Sequence, residues 1–173
     1  MRRLLKYDKQ QANKGETMAE LMYKVVVIDL RKDEDNTFAL ETEFGEWGWK
    51  LCMDAYKTEM SFITGQPESH FEIERGYTAL AVTQDKRVIG IACLYPNKIQ
   101  EDMIIGHVYV RPKFREKGVY KTMMGRIEKF AKDTGMKKIV AFAHRSNGGS
   151  MKAHHKLGFK QQIVGYLKEV DNG

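Results

Sequence analysis

The sequence predicts an α+β domain in which a mixed, mostly antiparallel central sheet is flanked by helices. Three observations predict it. Apolar, β-branched runs at Tyr77 to Thr83, Val88 to Leu94 and Met103 to Val110 follow one another with turn residues between them, as in an antiparallel meander. A strongly patterned helix, Gly118 to Thr134, then leads to another apolar run, Lys138 to Ala143, which is the order of a βαβ crossover and makes that run a parallel neighbour of Met103 to Val110. No Gly-x-Gly-x-x-Gly follows the first strand, so a doubly wound dinucleotide fold is set aside.

Taken in order, residues 1–20 are polar and poor in β-branched residues and read as an irregular lead-in, with residues 21–173 as a single domain. Tyr23 to Leu30, with Val25, Val26, Val27 and Ile28 in succession, reads as a strand with substantial burial. Asp33, Glu34 and Asp35 suit a helix N-terminus, where carboxylates meet unpaired N–H groups. Phe38 to Ile63 reads as helix in two pieces, broken near Gly45 or Gly48 and ended by Gly65-Gln66-Pro67. Gln84 to Arg87 marks a hairpin, and Tyr95-Pro96-Asn97 separates the next pair of strands. In the Gly118 helix, Val119, Met123, Ile127, Phe130 and Ala131 share one face, Lys121, Arg126, Glu128 and Lys129 lie away from it, and Gly135 is placed as its C-cap. A short helix from Ser150 to Leu157 stops at Gly158, and Phe159 to Val170 supplies one or two closing strands.

Composition narrows the function classes. Hydrophobic residues at 42% and charged residues at 30% fit a water-soluble globular chain. No run of about 18 apolar residues exists to span a membrane, and no signal-peptide core follows the basic N-terminus. Cys52 and Cys93 are far apart without metal-ligand spacing; as free thiols they suit a reducing cytoplasm. No cluster of His, Cys or carboxylates has the spacing of a metal site. The net charge of +6 favours an anionic partner. Its excess gathers in Arg2 to Lys14, Lys113 to Lys121 and Lys152 to Lys160, and the last two bracket glycine-bearing segments. That placement suits a polyphosphate ligand as well as a nucleic-acid duplex, and no recognisable nucleic-acid reading module is present.

The segment Val108 to Gly118 carries the strongest functional signal. A strand stops at Pro112, a basic loop follows, and Gly118 opens a helix whose first N–H groups, on Val119, Tyr120 and Lys121, are available to bind oxygens. Arg115, Lys117 and Lys121 add charge beside them. A nucleotide-hydrolase P-loop is excluded, because its Gly-Lys-Ser/Thr ending is missing.

Arg115-Glu116-Lys117-Gly118-Val119-Tyr120 resembles the Arg/Gln-x-x-Gly-x-Gly/Ala acyl-CoA signature of the GNAT superfamily of N-acetyltransferases, and Val110, Pro112 and Phe114 stand before it as that family has them. Asn147 to Phe159 resembles the family's second block: Asn147, Ser150, Gly158 and Phe159 match, while His154 stands where a tyrosine is common. Tyr120, in place of a small residue, is the other departure. The resemblance is best from Tyr77 to Phe159. It implies the acyl-CoA N-acyltransferase (GNAT) fold, acetyl-CoA as cofactor, and a V-shaped opening between strands ending near Val110 and Ala143. It also implies pantetheine along Val108 to Val110, the diphosphate at Gly118 to Lys121, and contacts from Asn147 and Ser150.

The reaction it implies is direct acetyl transfer to a primary amine, which needs a neutral amine, a polarised thioester and a stabilised thiolate. His154 takes the expected general-acid place, with an ordinary pKa of about 6.5. His107 and Tyr109 share one face of their strand and Val108 and Val110 the other, which makes His107, with Tyr109 beside it, the candidate for passing on the amine proton. Trp47 and Trp49 suit an apolar or cation–π wall for the acceptor, with Glu59 and Glu101 drawing in its charge. The acceptor, small molecule or protein, stays open, and a homodimer is the assembly to look for. A non-catalytic acyl-CoA-binding module and a basic nucleic-acid-binding protein stand as alternatives.

Overall fold

A computed structural model describes residues 22–29, 48–71 and 76–162. The lead-in, the first helical piece and Trp47 lie outside these residues, as does the closing segment from 163 onward. The elements are β1 (Tyr23–Asp29), α1 (Trp49–Thr64), β2 (Tyr77–Thr83), β3 (Val88–Asn97), β4 (Asp102–Val110), α2 (Val119–Asp133), β5 (Lys138–Ala141) and α3 (Gly148–Lys156). The five strands form one sheet in the order β1-β2-β3-β4-β5. The first four are antiparallel, and β5 runs parallel to β4 after the α2 crossover, so the mixed sheet expected from sequence is the one observed.

Each face of the sheet carries one core. Cys52, Met53 and Tyr56 of α1 pack on Leu80, Val82, Ile91, Cys93 and Tyr109. Val119, Met123, Met124, Ile127 and Ala131 of α2 pack on Ala79, Ala81, Ile89, Ala92, Leu94, Met103 and Ile105. The alternation along β2 sorts the two sets: small Ala79 and Ala81 lie under α2, larger Leu80 and Val82 under α1. Gly90 lets α2 approach, since a Cβ there would come within 2.9 Å of Met123 Sδ. The α2 helix ends as expected at Gly135, which has φ +78°. Met136 N–H bonds to Ala131 O and Gly135 N–H to Lys132 O, the paired bonds of a Schellman cap.

Several boundaries differ from expectation. The turn foreseen at Tyr95-Pro96-Asn97 is strand, and the chain turns instead at residues 98–101. Pro96 lies beyond Tyr77↔Leu94, the last pair with β2, where β3 has a strand neighbour on one side only among the described residues, and there a missing N–H is tolerated. β5 stops at Ala141, two residues short of Ala143, and residues 159–162 form no strand.

The feature that shapes the functional end is in β4. Cys93 pairs with His107 and Leu94 with Ile105, so Gly106 is an extra residue, a β-bulge. One inserted residue exchanges the faces of everything after it. Met103 and Ile105 therefore point into the α2 core, while Tyr109, at the same parity, belongs to the α1 core and Val108 and Val110 pack against the α2 side. Tyr95 fixes the bulge: a Cβ on Gly106 would lie 2.5 Å from its ring, and one on Gly76 would lie 2.8 Å from it. Gly106→Ala should therefore destabilise the protein by about 1–3 kcal/mol through overpacking. Urea unfolding should show the cost shrinking when Tyr95→Ala is combined with it; additive effects would separate Tyr95 from the bulge.

Candidate active site

Pairing between β4 and β5 runs only from Asp102↔Lys138 to Ile105↔Ala141. From Gly106 to Val110, β4 keeps β3 on one side and has no strand neighbour on the other among the described residues. The sheet thus opens at the bulge, leaving main-chain groups of Val108 and Val110 on the side away from β3 available to an extended ligand, save Val110 O, which Arg115 occupies.

Beyond this edge, a short 3-10 turn at Pro112–Phe114 leads into the basic loop. Gly118 is the N-cap of α2 with φ +77°, and a Cβ on it would meet nothing within 4 Å. The glycine thus serves backbone conformation and leaves open space where a ligand oxygen can come close. The first helical bond is Thr122 N–H to Gly118 O, so Val119, Tyr120 and Lys121 lack intrahelical acceptors for their N–H groups. Lys117 and Lys121 are exposed beside them. A diphosphate fits this set, because the donors, the positive end of the helix and the lysines coincide.

Arg115 faces elsewhere. Its Nε donates to Val110 O at 2.8 Å, and one terminal nitrogen donates to both Glu59 carboxylate oxygens at 2.8 and 2.6 Å. Its guanidinium carbon lies 5.3 Å from the centre of the Tyr109 ring. Glu59, expected to draw in the acceptor, is therefore held by Arg115 and ties α1 to the cofactor loop. Tyr109 is buried in the α1 core, and burial first, then the Glu59 charge, raises its pKa.

On the α1 face, the Tyr56 hydroxyl lies 2.7 Å from His107 Nδ1, with ring centroids 5.1 Å apart. The sequence does not single out Tyr56; nothing local in it marks its pairing with a strand 51 residues away. Trp49 is partly buried against the same core, and its indole N–H has no partner among the described residues. Cys52 and Cys93 are both buried, which pushes each thiol up to about 12 and leaves them inert.

Glu101 is not brought to the site. It sits in the turn before β4 and pairs with Lys137. At about 3.3 Å per residue along the strand, that is roughly 20 Å from His107. The expectation treated the start of β4 as the entrance, whereas the sheet opens at the other end.

α3 closes the site region. The Asn147 side chain accepts from Ser150 N–H at 3.0 Å as its N-cap, and its amide reaches Met60 Sδ at 3.5 Å, linking α3 to α1. His154 is 7% exposed, enclosed edge-to-face by Tyr120 and Phe159. Its Nδ1 lies 2.7 Å from Ser150 O. A carbonyl only accepts, so Nδ1 carries the proton and Nε2 is a bare acceptor; neither Nε2 nor the Tyr120 hydroxyl has a partner among the described residues. Burial lowers the His154 pKa and raises that of Tyr120. His154 is thus a neutral acceptor at Nε2, the opposite of the proton-donating form that sequence suggested.

An open strand edge leading to a glycine-started, basic helix defines an acyl-CoA-dependent transferase. The chain belongs to the acetyltransferase (GNAT) family, whose model matches residues 35–159. It is an N-acetyltransferase that uses acetyl-CoA, and the family match supports this over a binding module or a nucleic-acid-binding protein. No curated protein matches it in sequence. Among solved structures it resembles the ribosomal-protein-alanine N-acetyltransferase from Brucella melitensis biovar Abortus 2308 (TM-score 0.58, 15% identity, covering 86% of this chain and 100% of that one). It also resembles an aminoglycoside acetyltransferase from an uncultured soil metagenomic sample in complex with sisomicin (TM-score 0.54, 12% identity, 86% and 97%). A third is the aminoglycoside N-acetyltransferase AAC(6')-Iy in complex with CoA (TM-score 0.53, 16% identity, 85% and 100%). Identities this low speak for the fold alone. Among the described residues no helix is long and apolar enough to cross a membrane, and no metal-binding cluster occurs.

The lowered His154 pKa sets a pH dependence. The unfolded chain takes up this proton first, near pH 6.5. The stability contributed by neutral His154 is therefore present above that value and lost as pH falls through it toward the lower folded pKa. Urea midpoints at about pH 7.5 and 5.5 should fall more in the wild type than in His154→Gln; equal losses would remove His154 as the cause.

Proposed function

We propose that the chain transfers acetyl directly to a primary amine in a ternary complex, with cofactor along the open edge of β4 and acceptor approaching from the α1 face. The observation that carries this is the loss of β5 pairing at Gly106. It exposes one strand edge between two packed faces, so two substrates can meet across it. Val108 and Val110 main-chain groups hold the extended arm, and Val119, Tyr120 and Lys121 N–H groups with the Lys117 and Lys121 ammoniums hold the diphosphate. Asn147 and Ser150 fix the start of α3 beside it. Acetyl-CoA supplies an acetyl thioester; transfer forms a C–N bond, breaks the C–S bond and passes one amine proton to sulfur or solvent. Alignment in one cleft accounts for most of the rate, without a covalent enzyme intermediate. Cytoplasmic residence and a homodimer are compatible proposals, supported by the two reduced thiols and by general frequency respectively.

The acceptor class is tested with two kinds of amine, since the fold neighbours are named for aminoglycosides and for a ribosomal protein's alanine. Thiol release from acetyl-CoA should depend on at least one of an aminoglycoside, a polyamine, or peptides with free N-terminal or lysine amines. The rate should rise with pH toward the pKa of the acceptor amine, because only the neutral amine attacks. Lys117→Ala with Lys121→Ala should raise KM for acetyl-CoA about three- to tenfold at low salt, less at high salt, with kcat unchanged. Unchanged KM at low salt would place the diphosphate elsewhere.

A further inference from the structure

One turn of α1 meets three parts of the site. Tyr56, Glu59 and Met60 stand at i, i+3 and i+4 and so share a face of the helix. The Tyr56 hydroxyl lies 2.7 Å from His107 Nδ1 on β4, and Glu59 gives both its oxygens to Arg115 in the cofactor loop. Met60 Sδ is 3.5 Å from the Asn147 amide at the start of α3. A single helical turn thus touches the open strand, the loop and the capping residue of α3.

The link to the loop is the most directional of the three. Arg115 stands shortly before Gly118, and its guanidinium reaches toward α1. Its Nε donates to Val110 O at 2.8 Å, while one terminal nitrogen donates to Glu59 Oε1 and Oε2 at 2.8 and 2.6 Å. These donors belong to one rigid plane and cannot be adjusted separately, so a carboxylate held this way follows the loop when the loop moves. As an ion pair the contact contributes little stability, since its side chains are 41% and 32% exposed. What it does is hand any restraint on the loop to α1. A ligand supplies such a restraint: the Val119, Tyr120 and Lys121 N–H groups lack intrahelical acceptors, and a diphosphate bonded to them fixes the chain where the loop ends at Gly118.

We propose that Glu59 and Arg115 form a positioning pair that couples the cofactor to the acceptor face. Acetyl-CoA held at the helix start restrains the loop, Arg115 passes the restraint to Glu59, and the Tyr56–Met60 turn of α1 is ordered before the amine arrives. The Glu59 carboxylate is engaged by Arg115, so it shapes the acceptor face through α1 rather than by meeting the amine itself. The proposal rests on the acetyl-transfer reading of the cleft and adds a positive coupling between its two substrates: each tightens the binding of the other.

Hydrogen–deuterium exchange of the full chain with and without CoA, read by mass spectrometry, tests it. CoA should slow exchange at residues 118–122 of the wild type. It should also slow exchange about fivefold in peptides spanning Tyr56 to Met60, the low end of coupling between sites, as suits an exposed pair. Glu59→Ala puts a good helix former at an exposed position and should fold. In it the first effect should remain and the second vanish, with the Kd for CoA within about threefold of wild type. Arg115→Lys keeps the charge but cannot bond Val110 O and both Glu59 oxygens from one plane, and it should lose the α1 effect likewise. The readout is the change that CoA brings, so a variant that merely loosens α1 in both states does not imitate the result. Either variant keeping the full α1 effect overturns the coupling; so does loss of CoA binding in Glu59→Ala, which would make the pair part of the cradle. Wild-type protection at 118–122 alone overturns this proposal and leaves the acetyl-transfer reading standing. A wild-type chain in which CoA protects neither stretch overturns both.

Discussion

One extra residue in β4, Gly106, sets both halves of the site. Before it, odd-numbered side chains of the strand enter the α2 core; after it, Tyr109 enters the α1 core and His107 meets Tyr56 there. The same step ends the parallel pairing with β5. A bulge adds local twist, and a short neighbour such as β5, four residues long, cannot follow a strand that bends away. An aromatic ring packs against the bulge: Tyr95 fills the volume that a side chain on Gly106 or Gly76 would need. Cleft opening and side-chain orientation are thus a single packing decision made on the neighbouring strand.

What the sequence revealed follows the range of the forces involved. The face of α2 was legible because helical periodicity is local, and Val119, Met123, Ile127 and Ala131 are buried as their spacing requires. The cradle was legible because a glycine, a helix start and lysines lie within seven residues of chain, and Gly118 does adopt the left-handed conformation that a glycine permits. The far placement of Glu101, the Glu59–Arg115 pair and the Tyr56–His107 pair were not legible. Each depends on which strand end meets which helix, and a single bulge changes that answer. Pro96 misled for a related reason: it breaks a strand only where a neighbour needs its N–H, and β2 has already ended there.

The two departures from the family pattern belong together. Tyr120 on α2 and His154 on α3 touch edge to face, with centroids 5.7 Å apart. A small residue at 120 would leave a gap between the helices, and the phenol fills it against an imidazole. Read singly, each change weakens a motif. Read as a contact, they are one exchange of volume across the α2–α3 junction, and the main-chain N–H groups of the helix start are untouched by it.

The Arg115 guanidinium explains how the two substrate regions stay in register. It holds the last carbonyl of β4, stacks near Tyr109 and receives both oxygens of Glu59 from α1. The exposed ion pair alone contributes little to stability. Its geometry matters more, because three separate elements converge on one planar group with fixed donor directions. A shift of α1 relative to the phosphate loop would break several contacts at once. The lysines have no such restraint: Lys117 and Lys121 are exposed at the helix start, where the proposed diphosphate would meet their charge. Rigid geometry is therefore concentrated in the arginine that joins strand, loop and helix, and the exposed ammoniums are left free to adjust.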